Sequence, residues 1–187
     1  MDLYQEAAQV LEDTPLERVL SEFGEFALEG SYVYRTMVDR DIDCHVVLKD
    51  GLKLSYETRA EVMARLMDVP NLRGIQMADI HHFPSGSTHQ IDGIWYGLGI
   101  ISNDTSERWN IDIWVITPDS ATEADPKLIK RLCNLTDNER ETIVAIKQAA
   151  LDAGQKEKGV TSVEIYRAVL DRGASSYDEF LALNDSL

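Results

Sequence analysis

A chain of 187 residues with 44% hydrophobic and 27% charged residues is sized for one domain, or one domain with a small appendage. Its composition excludes the disordered, collagen-like and coiled-coil classes. The 33 acids against 18 bases leave a net charge of −15, which repels phosphate backbones, argues against a general nucleic-acid binder, and favours cationic partners and divalent metals. The surplus is uneven, with 20 acids against 9 bases in residues 1–118 and 13 against 9 in residues 119–187.

Cys44 and Cys133 stand far apart without CxxC spacing, so neither a disulfide framework nor a cysteine zinc site is expected, and the reading is a reduced, cytoplasmic protein. The acidic start Met1-Asp2-Leu3-Tyr4-Gln5-Glu6 lacks the basic and apolar segments of a signal peptide. No run approaches the roughly 18 apolar residues of a membrane span.

In chain order, Leu3, Ala7, Val10 and Leu11, then Leu16, Val19, Leu20 and Phe23, recur at helical spacing. Asp13-Thr14-Pro15 starts the second helix and Gly24 supplies its stop. Phe26–Glu29 reads as a short strand ended by Gly30-Ser31, and a second strand runs from Asp41 to Leu48. Residues 54–69 carry Val62, Leu66 and Val69 on one helical side and end at Pro70. Strand-like runs follow over 72–83, 90–101 and 109–117. The short polar connections Pro84-Ser85-Gly86-Ser87 and Asn103-Asp104-Thr105-Ser106 predict antiparallel hairpins.

After Pro118 four segments match the Ser/Thr-x-x-Glu capping box, in which hydroxyl and glutamate each satisfy an otherwise unpaired amide at a helix start. They are Ser120–Glu123, Thr136–Glu139, Thr161–Glu164 and Ser176–Glu179. Helices should follow each, separated near Cys133-Asn134, Gly154–Gly159 and Gly173. The expected class is α+β: an α+β first domain over residues 1–118, then a helical subdomain over 119–187.

The chemistry concentrates in Leu28-Glu29-Gly30-Ser31, nine residues, then Asp41-Ile42-Asp43-Cys44-His45. On a strand Asp41 and Asp43 project from one face with Cα atoms roughly 7 Å apart, while Ile42, Cys44 and Val46 enter the opposite, apolar layer. Like charges so placed repel unless something neutralises them, and hard carboxylate oxygens suit magnesium or manganese. Gly30-Ser31 brings a residue without a Cβ, backbone amides and a hydroxyl, groups that approach a polyphosphate closely. Asp112, in the otherwise apolar Ile111-Asp112-Ile113-Trp114-Val115 run, is the candidate third carboxylate, with Asp92 on the neighbouring run as its rival.

These residues in this order resemble the nucleotidyltransferase superfamily that includes DNA polymerase beta, the minimal nucleotidyltransferases and the aminoglycoside and lincosamide nucleotidyltransferases. The shared pattern is Gly-Gly or Gly-Ser, about nine to thirteen residues, then Asp-hydrophobic-Asp/Glu-hydrophobic and one more acid on a later strand. The resemblance spans roughly residues 20–118; Glu29 stands where relatives carry a hydrophobic residue, and Arg35-Thr36 and Arg40 replace other loop residues. It implies a mixed sheet with flanking helices, and transfer of a nucleoside monophosphate from a nucleoside triphosphate to an acceptor, with release of pyrophosphate. Asp41, Asp43 and Asp112 would then hold magnesium (or manganese), and Asp112 would also orient or deprotonate the acceptor. Gly30 and Ser31 would hold the β and γ phosphates, with Arg35 or Arg40 on the leaving pyrophosphate. Given the charge, the expected acceptor is a small molecule, cationic ones included, or a protein, with no nucleic acid or membrane. The competing expectation is a non-catalytic, regulatory protein of antitoxin-like type on the same fold.

Other residues read more plainly. His81-His82 with His89 invite a zinc site, but adjacent strand residues face opposite ways. His45 reads as a satisfied, partly buried histidine. Tyr32 and Tyr34 are loop residues able to stack on a base, and Trp95, Tyr96, Trp109 and Trp114 read as core or sheet-face packing.

Overall fold

The computed structural model describes residues 2–84, 91–120, 125–154 and 159–184. They form two compact units, residues 1–33 with 39–124, and residues 34–38 with 125–187.

In the first unit β2 (Asp41–Leu48) takes the face assignment its alternation dictates: Ile42, Cys44, Val46 and Leu48 are buried and the residues between them half-buried. β5 (Arg108–Ile116) does the same, burying Trp109, Ile111, Ile113 and Val115. Between them in the chain come β3 (Leu72–Asp79) and β4 (Gly93–Ile101), and before them β1 (Gly24–Glu29). The sheet order is β1-β2-β5-β4-β3. The β3–β4 and β4–β5 pairs are antiparallel, as expected, β1–β2 is antiparallel, and β2–β5 is parallel. Each buried Ile or Val adds about 1.5–3 kcal/mol. A one-residue slip of β2 or β5 would send every one of them to the other face, so the register is strongly held.

The buried face carries helices α1 (Leu3–Asp13), α2 (Leu16–Leu20) and α4 (Tyr56–Met67), whose inward residues are Ala7 and Val10, Leu16 and Leu20, and Val62 and Leu66. Two hydrogen bonds fix this layer: Trp109 Nε1 donates to Glu6 of α1 (2.9 Å), and Tyr96 Oη donates to the Arg59 carbonyl of α4 (2.9 Å). Burial drives the Tyr96 phenol up, the Arg59 charge pulls it down and the Asp79 charge adds to the rise, leaving it beyond the ordinary tyrosine range.

Several boundaries differ from the expectation. Gly24 does not stop a helix but opens β1, where its missing side chain lets the Val47 carbonyl come close. The segment after β1 is not a loop but a short helix, α3 (Gly30–Tyr34). β3 ends at Asp79 rather than 83, because the amides of Ile80 and His81 both turn onto the Gly93 carbonyl. His81 and His82 therefore lie in a turn, each against its own aspartate: His81 Nδ1 is 2.8 Å from Asp92, and His82 Nδ1 3.0 Å from Asp79. Ser85-Gly86-Ser87 and His89 lie outside the described residues.

The second unit holds α5 (Pro126–Leu132), α6 (Asp137–Asp152), α7 (Ser162–Arg172) and α8 (Tyr177–Asn184). The boxes at Thr136–Glu139 and Thr161–Glu164 form in full. At α8 the Glu179 amide bonds the Ser176 hydroxyl, but its carboxylate reaches the Ser175 amide instead. α5 starts from Asp125 with Pro126 behind it, a cap absent from the sequence reading; of the expected Ser120–Glu123 box, Glu123 lies outside the described residues. Gly173 ends α7 at φ 73°, the left-handed position glycine adopts without a steric penalty. The core divides into Ile146, Ile165, Ala168 and Phe180, and Leu132, Ile143, Tyr166 and Leu170. Residues 34–38 enter the second group: Tyr34 meets Tyr166 edge-on at 6.3 Å, and buried Thr36 hydrogen-bonds the Tyr166 hydroxyl at 3.0 Å. Among the described residues no helix is long and apolar enough to cross a membrane.

Candidate active site

The half-buried face of the sheet gathers the acids. Asp43 pairs in register with Asp112 across the parallel β2–β5 ladder, and with Glu29 across the antiparallel β1–β2 ladder. Residues so paired share a face with Cα atoms about 5 Å apart, and Asp41 follows two positions along on the same side. Buried Cys44, just behind them, registers the field: its thiol is driven well up, first by burial and then by the charges of Glu29, Asp43 and Asp112. That thiol is inert at neutral pH.

Asp92 is set apart from this group. Gly93 pairs with Ile116 and Gly97 with Asp112, so Asp92 lies about five residues, roughly 17 Å, along the sheet from the level of Asp112. Of the two rivals, Asp112 is the one beside Asp43.

Gly30 follows β1 with φ 65°, and a Cβ there would overlap the Asp43 carboxylate. The left-handed turn and the missing side chain together let the chain reverse directly against that aspartate. Gly30→Ala would impose a strained backbone, costing about 1–3 kcal/mol, and push the carboxylate from its place. A thermal melt and a magnesium-binding titration on this variant should both register the change. Buried Ser31 is the next residue, at the start of α3.

The arginines diverge. Arg40 lies across Glu6, with Nε at 3.1 Å and Nη2 at 3.3 Å, and Glu107 follows at 4.0 Å. Glu6 is buried and also accepts from Thr105 Oγ1 (2.6 Å) and Trp109 Nε1 (2.9 Å). Burial alone would raise the Glu6 carboxyl; the hydrogen bonds of Arg40, Thr105 and Trp109 and the Arg40 charge overcome it, lowering it to about 2. Arg40 thus anchors α1 to the start of β2. Arg35 sits at φ 58° within the 34–38 segment that packs among the helices of the second unit.

Glu29 is the member sequence reasoning set aside. Its Oε2 lies 3.0 Å from His45 Nδ1, and that hydrogen bond, working against burial, raises the half-buried imidazole together with the Glu29 and Glu25 charges. The signal was available: Glu25, Ala27 and Glu29 keep the strand period, which puts Glu29 on the face of its cross-strand partner. Tyr34 belongs to the second helical core, and Tyr32 lies 6.3 Å from Tyr4.

Carboxylate oxygens from adjacent strands fit a magnesium or manganese ion. Among the described residues no three His, Cys, Asp or Glu side chains form a ready-made metal cage. Magnesium does not require one, because it is commonly held by one or two carboxylates with substrate phosphates and water completing the shell.

No protein-family model and no curated protein matches the sequence. Solved structures do match its fold. One is a chain of the GLD-2/RNP-8 complex, at TM-score 0.53 and 7% identity, covering 89% of this chain and 59% of that one. Another is a chain of the GLD-2–GLD-3 poly(A) polymerase complex, at TM-score 0.58 and 10% identity, covering 90% and 52%. The chain has the nucleotidyltransferase fold. It spans little more than half the length of these nucleotidyltransferase-fold chains, and the likeness lies in the arrangement of elements rather than in sequence. The α+β class expected from the order of elements, and the mixed sheet that the resemblance implied, are the observed ones.

Proposed function

We propose that the chain is a metal-dependent nucleotidyltransferase that moves a nucleoside monophosphate from a nucleoside triphosphate to a small-molecule or protein acceptor. The observation that supports it best is the in-register pairing of Asp43 with Asp112 on the half-buried face, with Gly30 turned against Asp43, on a nucleotidyltransferase fold.

In this reading Asp41, Asp43 and Asp112 would offer carboxylate oxygens to the divalent ion, with phosphates and water completing its shell, and the bound charge would screen the triphosphate and the oxygens that exchange at phosphorus. Gly30 and Ser31 offer backbone and hydroxyl donors to the phosphates beside it. Asp112 orients the acceptor hydroxyl and takes its proton as that oxygen bonds to the α-phosphorus; the bond to the bridging α–β oxygen breaks and pyrophosphate leaves. Of the two arginines expected on the leaving group, Arg40 is engaged by Glu6.

The experiment is thermal unfolding with magnesium and each of the four common ribonucleoside triphosphates. A ligand at 100 times its Kd should stabilise the protein by about 2.7 kcal/mol, a shift of several degrees. Absence of a shift with all four would refute the enzyme reading and favour a non-catalytic protein on this fold.

A further inference from the structure

Beyond Asp112 the same sheet face carries a surface made by two side chains lying flat on β4. Gly97, directly opposite Asp112, is covered by the indole of Trp95: a Cβ at Gly97 would meet its Cζ2 at 2.5 Å and Cη2 at 2.6 Å. Two positions on, Gly99 is covered by the Arg108 guanidinium, whose Nη2, Nε and Cζ would stand 2.9, 3.0 and 3.1 Å from a Cβ there. Three near-equal distances mean that the guanidinium plane lies on the strand rather than pointing away from it. On the next strand the positions paired with Gly99, Gly97 and Trp95 are Gly74, Gln76 and Ala78, of which only Gln76 is long, and on β5 Trp114 stands opposite Trp95. Trp95 remains half-buried and Arg108 exposed, whereas Trp109 and Tyr96 are consumed by the core.

A flat indole with a guanidinium beside it is a stacking surface for planar rings, and aromatic stacking is indifferent to which base is offered. The Arg108 charge repels a cation over the ring and offers donors to a carbonyl or phosphate oxygen. We propose that Trp95 and Arg108 form the acceptor platform of this site, receiving a nucleobase-like planar ring so that the hydroxyl attached to it faces Asp112. This rests on the nucleotidyl-transfer reading and narrows its acceptor from cationic small molecules to ones bearing a neutral aromatic ring.

The test uses adenosine and cytidine, which carry no phosphate, with quenching of tryptophan fluorescence and equilibrium dialysis as readouts. Wild type should bind both; Trp95→Leu should weaken binding about tenfold, because base stacking is worth about 1–3 kcal/mol. Gly97→Ala, which leaves Trp95 in place but lifts its ring, should weaken binding to a similar degree, and Trp95→Phe should retain most of it. Stabilisation by magnesium and triphosphate should persist in all three variants, reporting that fold and donor side are intact. Nucleoside binding that is absent in wild type, or unchanged in Trp95→Leu, would overturn the platform. Nucleoside binding lost with Trp95, in a wild type that no triphosphate stabilises, would instead overturn the transferase reading and leave the platform standing.

Discussion

Asp43→Asn is expected to abolish magnesium-dependent stabilisation by nucleoside triphosphate and to lower any transfer activity by at least about 10²–10³-fold, the scale of losing one preorganised electrostatic contact to a reacting phosphate. Asparagine keeps the shape that Gly30 accommodates, so the loss would report charge rather than packing. The metal-free variant should still show a cooperative thermal transition, reporting that the sheet in which Asp43 pairs with Asp112 and Glu29 is intact. Loss of ligand response in a variant that remains folded is the signature of an acid that acts at the site. A variant that still responds to magnesium and triphosphate as wild type does would remove Asp43 from the site.

Glu6→Ala is expected to be among the most destabilising single substitutions in the first unit. It strips Trp109 of the acceptor for its buried indole N–H, an unpaired donor costing about 1–3 kcal/mol, and releases Arg40 and Thr105 as well. Arg40 is 39% exposed and can turn to solvent, so its share is discounted, and a total near 3 kcal/mol, or roughly 10 °C in melting temperature, is the expected outcome. The pH dependence has a definite sign. The folded-state pKa of about 2 lies below the ordinary 4.5, so the contribution of this carboxylate is complete above about pH 4.5 and is lost as pH falls through 2. Urea titrations between pH 6 and pH 2 should show wild type losing stability over that window more steeply than Glu6→Gln. Parallel curves for the two proteins would mean that Glu6 is not the charged hub of this layer.

Much of this was legible in residue order because it depends on local periods. The alternation Asp41-Ile42-Asp43-Cys44 sets the faces of β2 whatever its neighbours are, and Thr136–Glu139 and Thr161–Glu164 close their boxes within a single helical turn. The assignment of Asp41 and Asp43 to one face, and of helices beginning after Thr136 and Thr161, needed nothing beyond those periods.

Other assignments depended on pairs distant in the chain. Arg40 looked like a free cation near the proposed phosphates; its engagement by Glu6, 34 residues earlier, follows from the docking of α1 under β5. Trp95 and Trp109 both fall on strands, yet one is sealed in the core and the other lies on the half-buried face, a difference set by the phase of each strand against its neighbours. Residues 34–38 read as a loop and instead place Tyr34 and Thr36 against Tyr166, about 130 residues away in the chain. By itself the sequence determined the α+β class, the Asp41-x-Asp43 face and the Gly30 turn, since each rests on spacing within a few residues. Only the tertiary structure decided that Asp112 rather than Asp92 stands beside Asp43 and that Glu29 joins them, because strand register is fixed by burying Ile42, Cys44, Ile111 and Ile113 together and not by any property of the acids.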